Sequence, residues 1–66
     1  MSELRRRRKV LGLSISKLSQ EAKVNAAVLS WVELGKVSAS AKFRLAIAEF
    51  YKEPEAAFFN DVGFAI

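Results

Sequence analysis

The chain has no cysteine and no histidine. Their absence rules out a disulfide framework, a cysteine-type zinc site, a thiol nucleophile and an imidazole general base. Glycine and proline are scarce as well, at 3 and 1 in 66 residues, which is too few chain breakers for an all-β protein with many turns. No apolar run approaches the roughly 20 residues that a membrane-spanning helix requires. The basic start is not followed by an apolar stretch of signal-peptide length before Ser14 and Ser16 return the chain to polar residues. A cytoplasmic protein without membrane contact is therefore expected. There is no glycine-rich phosphate loop and no metal-ligand spacing, and Glu49, Glu53, Glu55 and Asp61 stand without pocket-building sequence around them. The expectation is a protein that is not an enzyme and carries no metal, cofactor or small-molecule ligand.

What remains is apolar and basic. Hydrophobic residues make up 52% of the sequence, too many for a disordered segment, and 66 residues suffice for one core but not for two. The net charge is +4, with the excess gathered in Arg5 to Lys9 and continued at Lys36, Lys42 and Arg44. Polyanions are the natural partners of such a distribution. Charge alone does not decide the matter, because a basic run is also what an ordinary solvated helix face looks like.

Helical spacing of Leu4, Arg8 and Leu11 predicts a first helix from about Ser2 to Leu11, capped by Ser2 and ended by Gly12. Ser14 caps a second helix over 15–22, in which Ile15, Leu18 and Ala22 form one apolar stripe. Lys23 to Asn25 make a tight connection, and Asn25 caps a third helix over 26–34 with apolar Val28, Leu29 and Val32, stopped by Gly35. After a link from Val37 to Ser40, the face Ala41, Leu45, Ala48 and Tyr51 predicts a fourth helix ending near Lys52. Pro54 suits the first turn of a fifth helix, with Ala57 and Phe58 facing in. From Asn60 the alternation of Val62, Phe64 and Ile66 favours a short strand or extended arm. The expectation is an all-α, five-helix domain over 1–59 with a tail over 60–66.

From Leu13 to Gly35 two short helices are joined by three or four residues, with apolar positions that lock them at a steep angle. A major-groove reader needs that geometry. Here the chain resembles the Cro and lambdoid-phage repressor family of helix-turn-helix transcriptional regulators. The likeness is carried by Gly12-Leu13-Ser14, Leu18, Ala22, Val24, Leu29, Ser30, Glu33 and Gly35-Lys36, then by Ile47-Ala48-Glu49-Phe50-Tyr51 and Pro54 to Phe59. Two positions depart from the pattern. Lys23 stands where the family's turn usually has glycine, and Ile15 stands where many members have a glutamine that touches a phosphate.

The resemblance implies a lambda-repressor-like fold and a phage or mobile-element regulator. It acts as a homodimer on double-stranded operator DNA. The third helix becomes the recognition helix, and Asn25, Ala26, Ala27, Ser30 and Trp31 face the bases. Arg8 pairs with Glu33 to orient that helix. Phosphate contacts are expected from Arg5, Arg6, Lys36, Lys42 and Arg44, and from backbone N–H groups behind Ser14 at the start of the second helix. Phe58, Phe59, Phe64 and Ile66 serve either a dimer contact or the monomer's own core. An alternative keeps the scaffold but changes its use. Trp31 and the apolar tail would then bind a protein, as in an adaptor, an antirepressor or an antitoxin-like module.

Overall fold

The computed structural model describes residues 2–66, which form four α-helices: α1 (Glu3–Val10), α2 (Ile15–Ala22), α3 (Ala26–Glu33) and α4 (Ala41–Tyr51). Each starts in the same way. Ser2, Ser14, Asn25 and Ser40 lie in extended backbone, and each side-chain oxygen accepts a hydrogen bond from the N–H three residues on, at 3.0 to 3.1 Å. One of the orphan donors at each helix start is thereby satisfied, a contribution of about 1 kcal/mol per cap.

The helix ends are equally local. After α1, Gly12 at φ +70° lets Leu13 N–H donate to Arg8 O at 3.2 Å and Gly12 N–H donate to Lys9 O at 3.0 Å. Gly35 at φ +74° repeats the arrangement after α3, with Lys36 and Gly35 donating to Trp31 O and Val32 O at 2.9 and 3.1 Å. Helices α2 and α4 stop without glycine, at Lys23 (φ +61°) and Lys52 (φ +57°). Lys23 therefore takes the left-handed conformation that its place in the turn demands, at a steric cost of about 1–2 kcal/mol.

Leu4 from α1, Leu18 from α2, Leu29 and Val32 from α3, Ile47 from α4 and Phe58 beyond it are fully buried. Helix α2 packs against α3, while α4 packs on α2 and on the turn that follows it. The buried face of α4 differs from expectation: Phe43 and Ile47 point inward with Phe50 and Tyr51 alongside, whereas Leu45 is 52% exposed and Ala41 faces solvent. Two apolar stripes compete on this helix. Tyr51, a member of the expected face, packs against the core in either case; the stripe that adds the rings of Phe43 and Phe50 removes more area from water and wins the core. Leu11, expected at helical spacing with Leu4, ends α1 from outside the core.

In place of a fifth α-helix there is a single 3-10 turn, Glu55–Ala57. A continuing helix would turn Phe58 and Phe59 about 100° apart. Both are instead driven into the core, so the chain leaves helical geometry at Phe58. This settles two of the four suggested dimer residues. Phe58 and Phe59 complete the monomer's own core, while Phe64 and Ile66 stay exposed.

The tail is not the short strand or extended arm that its alternation suggested: Asn60 to Gly63 form a turn closed by Gly63 N–H donating to Asn60 O at 3.0 Å, and only the last residues run back beside Phe59. Phe59 and Ala65 form an isolated antiparallel bridge, Ile66 N–H donates to Phe58 O at 3.0 Å, and Ile66 O accepts from Glu3 N–H. Asn60 closes the loop, its Oδ1 accepting from Val62 N–H at 3.1 Å and Phe64 N–H at 2.9 Å. Gly63 (φ +88°) then passes so close to the α3–α4 link that Ala39 N–H donates to its carbonyl at 2.7 Å.

Candidate nucleic-acid interface

Helix α3 divides sharply into two faces. Leu29 and Val32 are buried in the core, and Glu33 is buried beside them. On the other side Asn25, Ala26, Ala27 and Trp31 are exposed and Ser30 is half-buried, so the five expected base-facing positions share one outer surface. Leu34, three residues after Trp31, extends it; the two are 54% and 49% exposed respectively. Leu34 is not among the expected base-facing positions, although its three-residue spacing from Trp31 places the two on one helix face.

Arg8 and Glu33 form the expected pair. Arg8 Nε donates to Glu33 Oε2 at 2.8 Å and Nη2 donates to Oε1 at 3.1 Å, with side-chain exposures of 11% and 3%. The remaining arm, Nη1, donates to Leu13 O at 2.8 Å. One guanidinium thus ties the last turn of α1 to the last turn of α3 and to the residue preceding the α2 cap. All three elements that shape the outer surface meet at this point.

The other arginines of the run part ways. Arg6 is exposed and holds Glu3 through Nε and Nη2 at 2.8 and 2.6 Å. That hydrogen bond draws the Glu3 carboxyl below its ordinary value and pushes the Arg6 guanidinium up. Arg7 turns inward to Glu53, and its guanidinium carbon lies 5.3 Å and 5.2 Å from the ring centres of Tyr51 and Phe58. Nothing in the local pattern foretold this contact, since Glu53 is 46 positions away. Among the described residues no carboxylate meets Arg5.

Arg44 requires a correction. Its Nε donates to Glu55 Oε1 at 3.0 Å and its Nη1 donates to Ala39 O at 2.6 Å, so it clamps the α3–α4 link and is not held out for a phosphate. Lys36 and Lys42 are exposed, as expected. Ser14 is exposed too, with its hydroxyl engaged in capping Lys17 N–H.

Cations flank α3 on both sides. A shallow hollow of about 210 Å³ beside its C-terminal half is lined by Arg5, Ile15, Ser30 and Leu34 among others. Another of about 280 Å³ beside its N-terminal half is lined by Lys23, Asn25, Ser40 and Lys42 among others. Between them the outer face carries no charged side chain, because the helix's one carboxylate, Glu33, is buried with Arg8. Small, uncharged residues border the first turn, and positive charge stands at either edge. Such a surface admits a polyanion with an accessible central groove.

Among the described residues no group of carboxylates gathers as a metal site, and no helix is long and apolar enough to cross a membrane. Comparison of the chain with protein-family models, with curated proteins and with solved structures found no match.

Proposed function

We propose that this protein is a sequence-specific DNA-binding regulator of the Cro and lambdoid-repressor kind, which inserts α3 into the major groove of operator DNA as a homodimer. The observation that carries the reading is the uncharged outer face of α3 with cations along both edges. A helix with its side chains is about 10–12 Å across and the major groove about 12 Å wide. Ala26 and Ala27 allow the first turn of α3 to approach base edges closely, with Asn25, Ser30 and Trp31 beside them. Arg5, Lys36 and Lys42, with the N–H groups behind Ser14, meet the phosphates. Arg6 joins them once released from Glu3, since an ion pair between exposed side chains is weakly held in water. Two copies engage half-sites about 34 Å apart, with Phe64 and Ile66 at the contact between them. Occupation of promoter sequence then represses or activates, and a phage or mobile-element source fits the resemblance.

One observation favours a second reading. Trp31 and Leu34 present adjacent apolar side chains to solvent, as the anchor of a protein-binding adaptor, an antirepressor or an antitoxin-like module does.

Titration of DNA from upstream of its own gene, at several salt concentrations and against scrambled competitor, separates the two. With six phosphate contacts in a dimer, affinity is expected to fall by about three orders of magnitude between 50 and 200 mM salt. Binding that is absent, or equal for every sequence, would sink the regulator reading.

A further inference from the structure

We infer that α3 reads DNA chiefly through thymine methyl groups, so that its preferred half-sites place thymines against the first turns of the helix. This rests on the DNA-binding reading above and specifies what that surface recognises. The outer face of α3 offers few hydrogen-bond donors and acceptors. Ala26 and Ala27 are exposed and end in methyl groups; Trp31 and Leu34 are exposed and present hydrocarbon, with one indole N–H between them. Ser30 is half-buried beside the hollow that also holds Arg5. Asn25 is the one amide on this surface, and its Oδ1 already accepts from Val28 N–H at 3.0 Å.

Guanine is read in the major groove by a pair of donors from Arg or Lys, and adenine by an amide that donates and accepts together. The outer face of α3 has no Arg or Lys. Asn25 has one lone pair of Oδ1 engaged in the cap, so a two-point adenine contact is confined to the second lone pair and to the orientation that the cap fixes, and no second amide stands on this face to add another. The major-groove feature that suits a methyl or an indole edge is the C5-methyl group of thymine. Buried between the small side chains at the front of α3 and the base step below, it loses contact with water, as any buried methyl does.

Selection from a random-sequence duplex pool with the wild-type protein, followed by replacement of thymine with deoxyuridine in the enriched site, tests this directly. Deoxyuridine keeps every hydrogen-bonding group of thymine and lacks only the methyl. Enriched half-sites containing thymines, with affinity lost about fourfold per contacted methyl on replacement, are the expected result. Binding can be followed by the emission of Trp31, the single tryptophan. Enriched sites whose affinity is unchanged by deoxyuridine would overturn the methyl readout and leave DNA binding standing. No enrichment from the pool would overturn both.

Discussion

Arg8 and Glu33 place opposite charges in a nearly dry setting, and the cost of doing so is recovered only while both are present. Removing one partner leaves the other charge buried, so Arg8→Met and Glu33→Leu are each expected to cost about 3–5 kcal/mol in urea unfolding. Together the two substitutions should restore much of the loss, because a well-packed apolar pair pays no desolvation. Single losses below about 1 kcal/mol would mean that water reaches the pair. Tyr51 offers a contrasting case. Its hydroxyl is buried with no hydrogen-bond partner among the described residues, and burial pushes its titration above the ordinary 10.0, against the pull of Arg7. A phenol whose folded value is raised contributes stability that is present below pH 10 and is lost as pH climbs through the folded value. Alkaline titration of the urea midpoint is expected to show an extra decline above pH 10 that disappears in Tyr51→Phe. At pH 7 that variant should lie within about 1 kcal/mol of wild type, since no hydrogen bond is forfeited. An identical alkaline limb in both proteins would assign the decline to other groups.

At the level of elements, the tail and the α3–α4 link depend on one another. Gly63 fits against Ala39 and Arg44 because it has no side chain: a Cβ there would lie 2.7 Å from Arg44 Nη1 and 2.8 Å from Ala39 O, at φ +88°. Gly63→Ala is accordingly expected to destabilise by about 1–3 kcal/mol. Amides of the tail should lose hydrogen-exchange protection before those of α2 and α3 do. Unchanged protection from Asn60 to Ile66 would show that the loop shifts aside at no cost. Lys23 makes a related point about the α2–α3 turn, where it adopts the left-handed conformation at φ +61° without being glycine. The requirement belongs to the geometry of the turn, and the residue type only alters what meeting it costs.

For the molecule as a whole, the net charge of +4 says less than its distribution does. Arg7, Arg8 and Arg44 are drawn into ion pairs that hold the fold together, while Lys36 and Lys42 remain in solvent and Arg5, half-buried, meets no carboxylate among the described residues. Substitutions should sort accordingly. Arg5→Ala and Lys42→Ala are expected to leave the melting temperature nearly unchanged and to reduce the slope of log affinity against log salt by about 0.9 for each phosphate contact removed. Arg44→Ala should do the reverse, lowering the melting temperature with the slope intact. A slope unaffected by both Arg5→Ala and Lys42→Ala would move the phosphate contacts elsewhere.

A Cα radius of gyration of 10.2 Å, against about 10.8 Å expected for a folded chain of this length, leaves little interior to share among elements. That tightness explains what local pattern could and could not foretell. All four helices and their limits were legible to within about a residue, because caps and stops are hydrogen bonds spanning three to five positions and depend on nothing distant. The division of α3 into a core face and an outer face followed from its period in the same way. Packing decided the rest: which stripe of α4 faces in, whether Pro54 opens a helix or a single turn, which of four adjacent arginines points to solvent, and where the tail lies. Arg8 meets Glu33 across 25 positions and Arg7 meets Glu53 across 46, so each pairing exists only once the helices are assembled. Phe58 and Phe59 were open between a partner and their own core for the same reason. Burial depends on what covers a residue, and in so small a domain that cover comes from segments far away in the chain.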